Sequence, residues 1–373
     1  MPSQHFALGV EEEYQIIDPQ TRGLRPREAE VLALSAPALG ERAQPELLQT
    51  QVEMATPVCR TLAEVRAQVV RARRALIGAA AQDGDRIGAA GTHPFSGDGP
   101  QPVTPKPRYQ DLAQEYRRLV DELVIFGCHV HVGLEDVLEQ DPEAGVGVLN
   151  RARDWLGPLL ALSASSPFWR GRDTGYASYR AELWAPWPMA GPPLPFASRA
   201  EHDALIEILV ATGSISDATK LYWDIRLPLK TPTVEFRVAD VCLSVDEAVL
   251  LAGLVRALAR TCAEAARRGE SFTPARPELL RAAQWRAARF GLEGDLIHVG
   301  EGRAVPAPDL VRALLGWVRP ALEDAGDWDE VSALAEATLR GGNGAMRQRA
   351  VFARTDSLEA VVDYVVAETA RGT

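Results

Sequence analysis

In the run ALGVEEEYQII (7–17), Leu8, Val10, Tyr14 and Ile16 share one parity, while Gly9, Glu11, Glu13 and Gln15 share the other. A period of two predicts a strand with an apolar face and an acidic face. The same split recurs three times. LLQTQVEMATP sets Val52 and Met54 against Gln51 and Glu53, and FGCHVHVG sets Val130 and Val132 against His129 and His131. TVEFRVAD sets Val234, Phe236 and Val238 against Glu235 and Arg237. Glu12 breaks the rule by falling on the apolar face. Either a buried arginine pairs with it or a bulge turns it outward.

Further short runs complete a set of predicted strands at 6–17, 48–56, 86–91, 124–133, 221–227 and 232–238. Helical spacing follows Thr61…Glu64, and the same start signal recurs at Ser198…Glu201, Ser244…Glu247 and Asp356…Glu359. More helices are predicted near 108–122, 143–163, 276–290, 307–324 and 328–340. The order lacks the regular βαβ beat of a parallel sheet. Two long loops stand out, 91–107 and 165–196; the second carries Trp169, Tyr176, Tyr179, Trp184 and Trp187. Segments of that length within a domain are more often functional than idle. With no internal repeat and no low-complexity linker, residues 1–373 are expected to form one domain.

Composition narrows the class. The chain is 46% hydrophobic and 24% charged, as folded globular proteins are. A formal net charge of −11 argues against nucleic acid or an anionic membrane as the main partner. Cys59, Cys128, Cys242 and Cys262 form no C-x-x-C pair and read as reduced, buried thiols. The N-terminus lacks the pattern of a signal peptide, and apolar runs such as AVLLAGLVRALA are too short to span a bilayer. A cytoplasmic location is expected.

If the alternating strands pair in one antiparallel sheet, their polar faces converge on a single trough. Glu11, Glu13, Glu53 and Glu235 beside a histidine make an oxygen-rich divalent site, which suits Mg²⁺ or Mn²⁺ better than structural zinc. Cations between them would let the acids tolerate one another. Arg237, and Arg226 from the preceding strand, add positive charge, so the trough suits polyphosphate. Neither GxxxxGK[ST] nor G-x-G-x-x-G after a strand is present, so a nucleotide here would be held by metals on a sheet.

The ordered set GVEEEY, QVEMATP, GTHPF, GCHVHVG, YASYRAELW and TVEFRVAD, followed by WRAARFGLEGDLI and GNGAMRQR, resembles the bacterial carboxylate–amine ligases of the glutamate–cysteine ligase type 2 family. The resemblance runs from about residue 6 to about residue 350. It implies an α+β fold of the glutamine synthetase/guanido kinase kind, with about six strands in a curved antiparallel sheet and helices on the convex side. It implies ATP and two or three Mg²⁺ ions, an acyl phosphate formed from the γ-carboxylate of glutamate or a related acid, and capture by an amine, cysteine by default. By motif position it assigns Glu11, Glu13, Glu53, His129 and Glu235 to metal. It places His131, Arg226 and Arg237 near the ATP phosphates, the two arginines as the catalytic pair, and Arg180 at the α-carboxylate of the acid.

Two other classes compete. His-x-His with several acids also fits a metal-dependent hydrolase, though such sites gather more histidines and need no nucleotide. A non-catalytic relative would bind nucleotide or metal without turnover; the full carboxylate set argues against it. The 165–196 aromatics are either a wall that keeps water from an acyl phosphate or core packing. His93 is expected to anchor its loop, while His5, His202 and His298 are expected to be non-catalytic. Cys128 should point into the core. No residue is marked as the general base, Glu53 being a poor one if it binds metal. The partners are a small acid and a small amine, and the acidic exterior is compatible with a homodimer.

Overall fold

The alternating runs come together in one open antiparallel sheet. In the computed structural model, which describes residues 6–96 and 99–373, the sheet contains seven strands among the described residues. They are β1 (Leu8–Ile17), β2 (Ala43–Pro45), β3 (Gln51–Ala55), β4 (Arg86–Gly88), β5 (Gly127–Gly133), β6 (Ile225–Arg226) and β7 (Thr233–Asp240). Their spatial order is β2-β3-β1-β5-β7-β6, with β4 paired to the far end of β1. β2 was not expected from the sequence. His5 and the loop residues Gly97 and Asp98 lie outside the described residues.

One face of this sheet is the core. Leu8, Val10, Val130, Val132, Val234 and Phe236 are buried against α1 (Leu62–Gln82), α2 (Ala144–Ala152) and a long central helix, Val245–Arg267. Full burial of each such side chain contributes roughly 1.5–3 kcal/mol, so the face fixes the register of every strand. Tyr14, Ile16, Val52 and Met54 continue it over a second cluster. Cys128 points into this core, as its parity requires.

Glu12 remains on the apolar face, and the arginine account is the correct one. Arg73 of α1 donates from Nη2 to Glu12 Oε1 at 2.5 Å and from Nε to Oε2 at 3.1 Å, with both side chains fully buried. Arg73 also donates to the carbonyls of Cys242 and Leu243, which ties the sheet to the start of the central helix. That helix begins at a full capping box, Ser244 with Glu247.

Local differences from the sequence reading have local causes. The helix expected over 108–122 is two, Pro107–Tyr116 and Arg118–Asp121, because Arg117 takes a φ of 49° between them. The 143–163 helix breaks at a 3₁₀ turn before Pro158, which cannot donate a hydrogen bond to residue 154. Ser357, not Asp356, caps the last helix; Asp356 ends the preceding one in the left-handed region. No helix among the described residues is long and apolar enough to cross a membrane.

Candidate functional site

The other face of the sheet gathers the ionisable residues in rows across the strands. Glu13 stands opposite Glu53, Glu11 opposite His129, His131 opposite Glu235, and Glu235 opposite Arg226. At one point β7 carries an extra residue: Cys128 pairs with Ala239 but Val130 pairs with Phe236, so Arg237 and Val238 together face His129. The bulge reverses the parity that follows it and brings Asp240 onto the site face, opposite Gly127.

Two triads have ligand atoms within 4.8 Å of one another: Glu11 with His129 and Glu235, and Glu13 with Glu53 and His129. His129 serves both. Its Nδ1 lies 3.3 Å from Glu11 Oε2, and its Nε2 lies 3.9 Å from Glu13 Oε1. His131 Nε2 is 3.4 Å from Glu11 and 4.0 Å from Glu235, outside either triad. All five acids and imidazoles assigned to metal are therefore neighbours, as is His131. An oxygen-rich donor set with one imidazole fits a hard divalent cation.

Charge divides the face in two. Burial pushes Glu235 up, but Arg237 and Arg226 outweigh it and hold the carboxylate well below the usual range. Arg226 grips Glu235 through Nε at 2.6 Å and Nη2 at 3.0 Å, and Arg237 Nη1 bonds Glu235 Oε1. Burial likewise raises Glu11, but its bonds to His129 and His131 prevail and lower it. At the other end the pull of Arg180, the Gly127 N–H and Arg237 on Glu13, and of Arg237 on Glu53, does not outweigh burial. Burial, with Glu46 beside it, lifts Glu13 to about 7, and burial with Glu46, Glu11 and Glu13 lifts Glu53 well above the carboxylate range. Burial, then Arg237, keeps His129 neutral down to about 4. Burial opposes a charge on His131, yet Glu11 and Glu235 raise it.

Arg180 closes the acidic end. It sits on a short helix, α3 (Tyr179–Trp184), which Ser178 caps by accepting from the Ala181 N–H. Its guanidinium lies over Gly127 and donates to the carbonyls of Val238 and Arg237, both at 3.3 Å. Asp240 stands 3.8 Å behind it, accepting from Ser165 N, Ser166 Oγ and Ser178 Oγ at 2.6–2.8 Å. A cleft with about 610 Å³ of empty space is lined by Glu13, Glu46, His129, Arg180 and Arg237 on its polar side. Trp184, Trp187 and Tyr222 line its apolar side. Of the loop aromatics, Trp169 and Trp187 are packed in the core with Trp184 against them, and Trp184 and Trp187 also line the cleft.

Three contributors escaped the sequence reading. Glu46, seven residues before Glu53, accepts from the Tyr109 hydroxyl at 3.2 Å and lines the cleft. Its only signal was an acid ahead of QVEM, in a segment not read as a strand. Asp240 was hidden by the bulge, whereas Asp224 lies within the strand expected over 221–227 and shares the parity of Arg226, but was given no role. His93 is structural: Nε2 is 2.8 Å from the Arg22 carbonyl, and Nδ1 accepts from Ser96 N.

Similarity to known proteins extends over nearly the whole chain. Residues 7–367 match the model of glutamate–cysteine ligase family 2. A protein of Rhodopirellula baltica, provisionally named glutamate–cysteine ligase 2, is 43% identical over 374 residues, covering 99% of this chain and 98% of its own. One of Saccharopolyspora erythraea, provisionally named glutamate–cysteine ligase 2-1, is 44% identical over 364 residues, covering 98% and 95%. Among solved structures, glutamate–cysteine ligase of Francisella tularensis in complex with AMP has a TM-score of 0.67 at 12% identity, covering 100% of this chain and 90% of that one. A bifunctional glutathione synthetase of Pasteurella multocida has a TM-score of 0.65 at 16% identity, covering 98% and 53%. The structures share the fold, and the sequence relatives share nearly the full length. The chain belongs to glutamate–cysteine ligase family 2.

Proposed function

We propose that this protein is an ATP-dependent carboxylate–amine ligase that activates a carboxylate as an acyl phosphate and passes it to an amine. The first pair to test is the γ-carboxylate of L-glutamate with the amino group of L-cysteine. The observation that carries the reading is the row Glu11–His129 beside His131–Glu235–Arg226, with Arg237 bonded to the same Glu235. Acids and arginines in contact on one sheet face match the needs of phosphoryl transfer to a carboxylate, where anion must meet anion.

In this reading Glu11, Glu13, Glu53, His129 and Glu235 hold divalent cations, Mg²⁺ or Mn²⁺, which would shield the attacking carboxylate from the phosphate oxygens. Arg226, Arg237 and His131 meet the phosphates, and Arg180 takes the α-carboxylate of the acid. The AMP of the Francisella tularensis structure supports a nucleotide partner. Trp184 and Trp187 limit hydrolysis of the acyl phosphate by excluding water.

The test is ADP release from ATP–Mg²⁺ with L-glutamate, with and without L-cysteine, and mass spectrometry of the product. Cysteine-dependent ADP with a γ-glutamylcysteine product is expected. ADP that depends on glutamate but not on cysteine would retain the mechanism and replace the amine. Absence of ADP across a wider panel of acids and amines would contradict the ligase reading.

A further inference from the structure

Asp224 is 5% exposed and carries its charge without a cationic bond partner among the described residues. Its Oδ2 accepts from the uncharged amide of Gln284, on the helix Pro277–Phe290. Its backbone carbonyl accepts from Arg237 N at 2.8 Å, so the residue is fixed at the edge of the site face. A buried carboxylate held by one neutral amide is costly unless a cation reaches it.

Its surroundings say which cation. Asp224 lines a second cleft, with about 1440 Å³ of empty space, that meets the first at Arg180, Trp184 and Trp187, residues lining both. Arg180 has a buried Nε with no hydrogen-bond partner among the described residues. A guanidinium and a carboxylate therefore line the second cleft together, and Arg180 also lines the first, which reaches Glu13 and His129. A group bearing an anion and a cation on one carbon fits that pair, with its far end toward the metal-binding acids.

Resting on the ligase reading above, we infer that Asp224 receives the α-ammonium group of the acid substrate while Arg180 receives its α-carboxylate. The pair thus selects α-amino dicarboxylates over simple dicarboxylates. Burial lifts Asp224 to about 6, against the pull of Gln284, Arg180 and Arg237, so the carboxylate is ionised at neutral pH. Glu182 lines the same cleft, but it is half-buried and keeps access to water, so its charge needs no ligand.

The experiment uses hydroxylamine as the amine, so that acyl activation is read as hydroxamate whatever the natural amine is. L-Glutamate is compared with glutarate, which lacks only the α-ammonium. Wild type is expected to favour L-glutamate. Asp224→Asn should cut that preference at least about tenfold through the KM for L-glutamate, with the KM for ATP unmoved. Gln284→Met, which removes the hydrogen-bond donor that favours the ionised carboxylate and holds it in place, should shift the preference in the same direction by less, and it serves if Asp224→Asn does not fold. Equal use of both acids by wild type, an unchanged preference in the folded variants, or a loss confined to Glu182→Gln would overturn the assignment to Asp224. No hydroxamate from either acid would overturn the ligase reading instead.

Discussion

A Cβ added at Gly127 would stand 2.5 Å from Nη2 of Arg180 and 3.2 Å from Nε2 of His129. The bare backbone of β5 is the floor on which the arginine lies, which is why glycine opens this strand. Gly127→Ala should therefore displace Arg180 and raise the KM for the acid about tenfold or more, with little change for ATP. Arg180→Ala should do the same more strongly. Steady-state kinetics with each substrate varied in turn checks both. Equal effects on the two KM values would place Arg180 elsewhere in the reaction.

Glu12 and Arg73 make the opposite kind of pair, charged but sealed in the core. Arg73→Met should leave a buried carboxylate without its counter-charge and cost about 3–5 kcal/mol in chemical denaturation. Glu12→Gln combined with Arg73→Met should recover much of that loss. A single variant within about 0.5 kcal/mol of wild type would contradict a structural role for the pair.

The acidic end of the trough sets a pH dependence. Glu13, raised to about 7 by burial and Glu46, favours folding only while it is protonated. Its contribution is fully present below the ordinary carboxylate value of 4.5 and is lost as pH rises through about 7. Protons and a divalent cation compete for the same oxygens, so Mg²⁺ or Mn²⁺ should raise Tm more at pH 8 than at pH 6. Glu53→Gln should raise the metal-free Tm at pH 8 and remove most of the cation's effect. Equal cation-induced shifts in wild type and variant, measured by calorimetry, would remove Glu53 from the cation site.

The two triads should fill in order. Among the described residues no guanidinium is bonded to Glu13 or Glu53, whereas Arg226 and Arg237 occupy the oxygens of Glu235. A polyphosphate that draws those arginines away would free Glu235 for a cation. Bound Mn²⁺, counted by electron paramagnetic resonance, should therefore increase when a non-hydrolysable ATP analogue is added. The same count with and without the analogue would contradict this coupling.

Much of this site was legible because a strand has a period of two. Glu11, Glu13, Glu53, His129, His131 and Glu235 could be assigned to one face from parity alone, and the valines opposite them fixed that parity. Where parity fails, so does the reading. The extra residue at Arg237 and Val238 leaves no mark in TVEFRVAD, so Asp240 was assigned to neither role. Glu46 lies beyond β2, a three-residue strand with no alternation to detect. A buried arginine was one of the two accounts left open for Glu12, and parity could not choose it or locate it, because Arg73 is one of several on its helix and only tertiary packing selects it.

The most direct test of the mechanism follows an oxygen atom. L-Glutamate labelled with ¹⁸O in both γ-carboxylate positions is turned over with ATP–Mg²⁺ and L-cysteine, and the phosphate and amide are analysed by mass spectrometry. An acyl phosphate requires one labelled oxygen in the released phosphate and one in the amide. Unlabelled phosphate, with product formed, would mean that the carboxylate never attacks ATP.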